Sequence, residues 1–129
     1  MKENILIVED EFIVANDLRL KLRKKGYQIC GIAPCVETAK TMIEQLNPTW
    51  VLLDIWLQDG SMGTDLAPIL TEKNIGFIYI SANPGPEPDA YPNGKHDIEF
   101  LSKPFREKDL LLKLEAALEK HRNIPFNRQ

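Results

Sequence analysis

Apolar residues along this chain fall into two alternating rhythms. Asn4-Ile-Leu-Ile-Val8, Trp50-Val-Leu-Leu53 and Gly76-Phe-Ile-Tyr-Ile80 are short apolar runs rich in strand formers. They are too short for buried helices and predict strands of a parallel sheet covered on both faces. Tyr27 to Ala33 alternates loosely and predicts an outer strand, and Asp97-Ile-Glu-Phe-Leu101 predicts a fifth. Between the strands the apolar spacing turns helical. A first helix is expected from about Glu11 to Lys25, stopped by Gly26, with Val14, Leu18 and Leu22 on its core face and Ile13 and Leu20 on a flank. Val36, Ala39, Met42, Ile43 and Leu46 mark a second, ended by Asn47-Pro48. A third spans roughly Thr64 to Lys73, with Pro68 in its first turn, where a missing N–H costs least. A last helix runs from about Phe105 to Lys120, with Leu110, Leu111, Leu114, Ala117 and Leu118 facing the core.

Strands alternating with helices at this spacing predict an α/β fold with a five-stranded parallel sheet and helices on both faces. Right-handed crossovers make the doubly wound strand order 2-1-3-4-5 the natural arrangement. The length of 129 residues fits one domain, expected over residues 1–121, with a polar tail over 122–129 and no output domain.

Composition changes this picture little. Apolar content of 43% and charged content of 27% are ordinary for a soluble protein, so a cytoplasmic location is expected. The net charge of −3 comes from scattered charges of both signs, which argues against a nucleic-acid surface. The one basic run, Lys21 to Lys25, closes the first helix, where positive charge complements the helix dipole. No signal peptide or membrane span is visible. Cys30 and Cys35 are too far apart along near-extended chain for a disulfide and lack partners for a metal site, so two small buried or half-buried thiols are expected.

The candidate chemistry lies where the strands end. Glu9 and Asp10 follow the first strand, Asp54 the third, Ser81 the fourth and Lys103 the fifth. In the predicted order the first and third strands are neighbours, and all five groups share the carboxyl rim where open α/β sheets place ligands. Alone, Asp54 would read as a turn cap. Together the carboxylates repel, by about 4 kcal/mol per close pair at an effective dielectric near 20. A hard divalent cation relieves that repulsion, and Mg2+ suits a small set of oxygen ligands. Lys103 adds a point charge and Ser81 a hydroxyl, so the rim carries what phosphoryl transfer needs, with Asp54 as nucleophile.

Ile-Leu-Ile-Val-Glu9-Asp10-Glu11, Leu-Leu-Asp54-Ile-Trp-Leu-Gln-Asp59-Gly60, Ile80-Ser81-Ala82 and Phe100-Leu-Ser-Lys103-Pro104-Phe105 together resemble the receiver domain of two-component response regulators. The likeness runs from about Asn4 to Lys120, with every motif in the family's order and a flavodoxin-like fold implied. It implies that Asp54 accepts phosphate from a phosphohistidine of a sensor histidine kinase or phosphotransfer protein. Mg2+ would be bound by Glu9 or Asp10, by Asp54 and by the backbone carbonyl of Trp56. Glu9 has the longer reach of the two acids, so a water can separate it from the metal, and Asp10 is the safer direct ligand. The resemblance further implies that Ser81 and Lys103 hold the phosphoryl oxygens, that Lys103-Pro104 is cis, and that Ser81 couples to Phe100 as a switch. Such a domain catalyses its own Mg2+-dependent phosphotransfer and aspartyl-phosphate hydrolysis without being a conventional enzyme.

Between Ala82 and Asp97 the chain departs from that family. Pro84, Pro86, Pro88 and Pro92 remove backbone donors, so the usual fourth helix is expected to be short or missing. Phosphorylation is then expected to change the order of residues 83–97 and, through region 82–105, the binding of a downstream protein target. Ile13, Leu20 and Phe105 flank the acidic rim and would dock the phosphodonor. Leu112 and Ala116, opposite the core stripe of the last helix, would support a homodimer. Two rival readings are a haloacid dehalogenase-type phosphatase and a phosphate-independent pseudo-receiver. The first wants Asp-x-Asp after the first strand, where this chain has Glu9-x-Glu11.

Overall fold

A computed structural model describes residues 3–81 and 100–122 of the chain. The strands are β1 (Asn4–Val8), β2 (Gln28–Ala33), β3 (Trp50–Asp54), β4 (Gly76–Ser81) and β5 (Phe100–Ser102). The helices are α1 (Phe12–Lys24), α2 (Val36–Leu46), α3 (Ala67–Glu72) and α4 (Glu107–Arg122), and a 3-10 turn at Gly63–Leu66 leads into α3. The strands form one parallel sheet in the order β2-β1-β3-β4-β5, as the sequence predicts.

Side-chain alternation divides the core into two layers. Ile5, Ile7, Trp50, Leu52, Ile78 and Ile80 point to one face, where Ala15, Leu18 and Leu22 of α1 meet Leu110, Leu114, Ala117 and Leu118 of α4. Leu6, Val8, Val51, Leu53 and Tyr79 point to the other and pack under Val36, Ala39 and Ile43 of α2 and under Leu66 and Leu70. A period of two thus assigns each strand residue to a layer, and one residue of slip would reverse the assignment.

Register then places the rim. Val8 pairs with Leu53, so Glu9, one residue on, comes level with Asp54. Asp54 pairs with Ile80, putting Ser81 just beyond it, and Ser81 pairs with Ser102, putting Lys103 one step further out. β1 carries an irregularity opposite β2, where Cys30 is skipped between the partners of Ile5 and Leu6.

Several expectations are corrected. Ala15, not Val14, is the fully buried residue in the first part of α1, and Val14 is half-buried against the same layer. Leu46 is 38% exposed, because α2 ends there and Asn47 turns left-handed at φ 49°. The third helix is shorter than expected, its opening turn being wound as 3-10. The last helix starts at Glu107 rather than Phe105. Pro104 and the turn after it hold the chain out of the helix, and the Asp109 carboxylate caps the start by accepting from the Arg106 N–H at 3.2 Å. β5 extends to Ser102, beyond the expected Leu101. The Pro-rich segment of residues 83–97, with the expected short or missing helix, and the tail beyond Arg122 lie outside the described residues.

Candidate functional site

Tight local geometry builds the floor of the rim. An added Cβ on Gly63 would lie 2.0 Å from the Asp54 carbonyl oxygen, so only glycine lets the returning loop pass this close to the strand end. There the Gly63 N–H donates to the Ile55 carbonyl at 2.8 Å, closing the loop that carries Trp56 to Met62. Within it, the Gln58 N–H donates to Asp10 Oδ2 at 2.6 Å, tying the loop to the tip of β1.

Glu9, Asp10 and Asp54 each offer a carboxylate oxygen within 4.8 Å of the other two, the arrangement expected from their strand tips. Glu9 is 1% exposed and Asp54 5%, whereas Asp10 is half-buried. Lys103 reaches back into the cluster: its Nζ lies 2.6 Å from Glu9 Oε1 and 3.3 Å from Asp54 Oδ2. The second Glu9 oxygen accepts from the Glu11 N–H at 3.1 Å. Ser81 is buried at the same rim, and its carbonyl accepts from the Lys103 N–H at 2.8 Å. The Lys103-Pro104 peptide is cis, as the resemblance implies.

These contacts shape the protonation equilibria. Burial pushes the Glu9 carboxyl up to about 6, against the opposing pull of Lys103 and the Glu11 N–H. Burial likewise raises Asp54, again opposed by Lys103. For Lys103, burial acts to lower the pKa, but the carboxylates of Glu9 and Asp54 together outweigh it and leave the ammonium above its ordinary value. Two carboxylates and one ammonium therefore share a nearly dry site with a residual negative charge. Three convergent hard oxygen donors of this kind fit Mg2+, which tolerates few protein ligands because it keeps water.

The remaining predicted residues fall around this centre. Ile13 and Leu20 are 83% and 55% exposed on α1. Phe105 is half-buried against the α1–α4 layer, so it offers less open surface than expected. Phe100 is half-buried against the opposite layer. Leu112 and Ala116 are exposed on α4. Cys30 and Cys35 are free and half-buried.

Sequence reading missed three features. Phe12, 72% exposed, extends the apolar surface beside Ile13. Trp56, 42% exposed, adds an aromatic two residues past Asp54. The Glu9–Lys103 pair joins residues 94 positions apart. An aromatic in the first turn of an amphipathic helix was a usable signal for Phe12; nothing in the spacing announces the ion pair.

Comparison with known proteins agrees with this geometry. Residues 5–115 match the family model described as the response regulator receiver domain. The chain is 32% identical over 122 residues to the phyllosphere-induced regulator PhyR of Methylorubrum extorquens, covering 92% of this chain and 44% of that protein. It is 29% identical to the transcriptional regulatory protein PdtaR of Mycobacterium tuberculosis, covering 93% and 58%. Among solved structures, PhyR from Brucella abortus superposes with a TM-score of 0.82 at 28% identity, over 95% of this chain and 50% of that one. The receiver domain of a modulated diguanylate cyclase from Desulfovibrio desulfuricans gives 0.80 at 26% identity, over 95% and 98%. The chain spans about half the length of the curated relatives it matches.

Proposed function

Because this chain belongs to the response regulator receiver domain family, we propose that it is a phosphorylation-controlled signalling protein whose acceptor is Asp54. The carrying observation is the convergence of Glu9, Asp10 and Asp54 within 4.8 Å, with Lys103 bridging two of them. That arrangement is costly for a fold and useful for moving a phosphoryl group.

An oxygen of the Asp54 carboxylate attacks the phosphorus of a phosphohistidine on a sensor kinase or phosphotransfer protein. The P–O bond forms as the P–N bond breaks, and the electron pair of that bond leaves on the nitrogen of a neutral imidazole whose other ring nitrogen already carries its proton. Hydrolysis reverses the loading: water attacks the phosphorus, Asp54 regains its carboxylate and inorganic phosphate departs. Lys103 and Ser81 hold the phosphoryl oxygens, the first by charge and the second by its hydroxyl. Asp10, Asp54 and the Trp56 carbonyl, with Glu9 beside them, would hold Mg2+, which would supply charge neutralisation for the incoming group.

Docking of the donor falls to the exposed apolar side chains of α1, Ile13 and Leu20, with Phe105 at their margin. Output runs from Ser81 and Phe100 through region 82–105 to a protein partner, in the cytoplasm, and Leu112 with Ala116 supports a homodimer. Relatives include proteins named as an anti-anti-sigma factor and as DNA-binding regulators. The chain covers only about half of each, and its scattered charge favours a protein target over nucleic acid.

Beryllofluoride, a phosphoryl mimic, tests this reading through tryptophan fluorescence, because Trp56 lies beside the acceptor. A change in emission that requires Mg2+ and vanishes in Asp54→Asn is expected. Emission unaffected in the unaltered protein would reduce the chain to a phosphate-independent interaction module.

A further inference from the structure

Residues 55–63 close into a small antiparallel hairpin beside the acceptor. The Gly63 N–H donates to the Ile55 carbonyl at 2.8 Å and the Leu57 N–H to the Ser61 carbonyl at 3.3 Å, with Trp56 opposite Met62 between these bonds. A residue at such a position turns its own N–H and carbonyl away from the partner strand. The Trp56 backbone therefore faces outward, and its N–H donates to the Asp54 carboxylate. A hairpin paired at Trp56 itself would spend both groups across the ladder instead.

A two-stranded ladder this short does not hold itself. Asp59 fixes it from the turn, where its Oδ1 accepts from the Ser61 N–H at 2.9 Å and from the Ser61 hydroxyl at 2.6 Å. That hydroxyl in turn accepts from the Val36 N–H at 3.4 Å, one of the donors at the start of α2 that no helix carbonyl reaches. The Cys35 thiol also bonds to Asp59, whose carboxyl the Ser61 donors hold below its ordinary value. At Gln58 the same hairpin reaches the site, through the N–H that donates to Asp10 at 2.6 Å. Asp59 itself is exposed and stands outside the group of acids whose oxygens converge.

Resting on the phosphoacceptor reading above, we propose that Asp59 is a positioning residue of the metal site. By fixing Ser61 it anchors the 55–63 hairpin to α2, in the setting that turns the Trp56 backbone toward Asp54 and brings the Gln58 N–H onto Asp10. It acts as a hydrogen-bond acceptor, and its charge does not act on the cation.

Mg2+ alone, titrated by calorimetry at about 0.15 M salt to screen charges more than about 8 Å apart, tests this. Asp59→Asn removes the charge and keeps an acceptor oxygen suited to this turn, whereas Asp59→Ala removes both. Mg2+ affinity is expected to fall by about tenfold or more in Asp59→Ala and to stay within about twofold in Asp59→Asn. Proton spectra of the metal-free proteins give a second readout. The Gln58 amide proton, shifted downfield by its bond to Asp10, is expected to move upfield in Asp59→Ala and to stay in place in Asp59→Asn.

Equal losses of affinity in the two variants would make the charge the active feature and overturn the proposal. Unchanged affinity or an unmoved Gln58 amide in Asp59→Ala would reduce Asp59 to a turn former and overturn it as well. The phosphoacceptor reading survives each of these results. Should Mg2+ fail to bind the unaltered protein, that reading falls and takes the proposal with it. If Asp59→Ala does not fold, Ser61→Ala, which removes only the hydroxyl, decides: weakened Mg2+ binding supports the proposal and unchanged binding overturns it.

Discussion

Replacing Lys103 with methionine isolates the electrostatics of the rim. The lysine side chain is 14% exposed, and its partners Glu9 and Asp54 are 0% and 8% exposed. Methionine keeps most of the aliphatic volume, so the change removes charge more than packing. Leaving buried carboxylates without their counterion costs about 3 to 5 kcal/mol. The lower end applies here, because burial already pushes Glu9 up to about 6 against the pull of Lys103, and removing the lysine raises it further and makes protonation an easy escape. We expect a loss of about 3 kcal/mol at pH 7 without divalent metal. At pH 5, taking up the proton costs Glu9 less than about 1 kcal/mol at 1.4 kcal/mol per pKa unit, so most of the loss disappears. Millimolar Mg2+ at pH 7 also recovers part of it by supplying positive charge to the same oxygens. Urea unfolding followed by far-UV circular dichroism, at both pH values and with and without Mg2+, measures all of this. A loss below about 1 kcal/mol at pH 7, unchanged by pH and Mg2+, would refute the claim that Lys103 balances a buried acidic cluster.

Three further outcomes are expected. Glu9 holds its proton more tightly folded, at about 6, than its ordinary value of 4.5. The folded state therefore binds more protons between those values, and Glu9 removes stability as pH rises through that window, by about 2 kcal/mol in total. Mg2+ affinity should fall as pH drops through the same range, and calorimetry across pH 4 to 7.5 reads both. Gly63→Ala should lower stability by more than about 2 kcal/mol, because its Cβ meets the Asp54 carbonyl at 2.0 Å, and thermal melting checks it. Ile13→Asp and Leu20→Asp, on exposed positions of α1, should leave stability within about 0.5 kcal/mol yet slow phosphotransfer from a histidine kinase. Unchanged transfer rates would remove that docking surface.

Much of this molecule was legible because apolar rhythm is a direct record of burial. Ile5 to Val8 and Trp50 to Leu53 are buried on both faces, so their unbroken apolar runs reported central strands. Strand order then followed from chirality, and the position of Glu9 level with Asp54 followed from the order. Less legible were features decided by single turns. Pro104 and Asp109 set where α4 begins, and the close pass of Gly63 under Asp54 shaped the loop before α3. Side-chain choices across the sheet were not legible at all. Lys103 was expected to hold a phosphoryl group, and nothing in its neighbours indicated that it also clasps Glu9. The Gln58 N–H on Asp10 was equally hidden, being a backbone donor with no sequence signature.

The central claim is that one carboxylate on this rim takes up phosphate. Incubating the protein with acetyl phosphate and Mg2+, trapping any acyl phosphate with borohydride and mapping the peptides by mass spectrometry locates it directly. Conversion of Asp54 to homoserine, dependent on Mg2+ and absent in Asp54→Asn, is the predicted result. An unmodified Asp54 peptide, or the same modification on a different acid, would contradict the account.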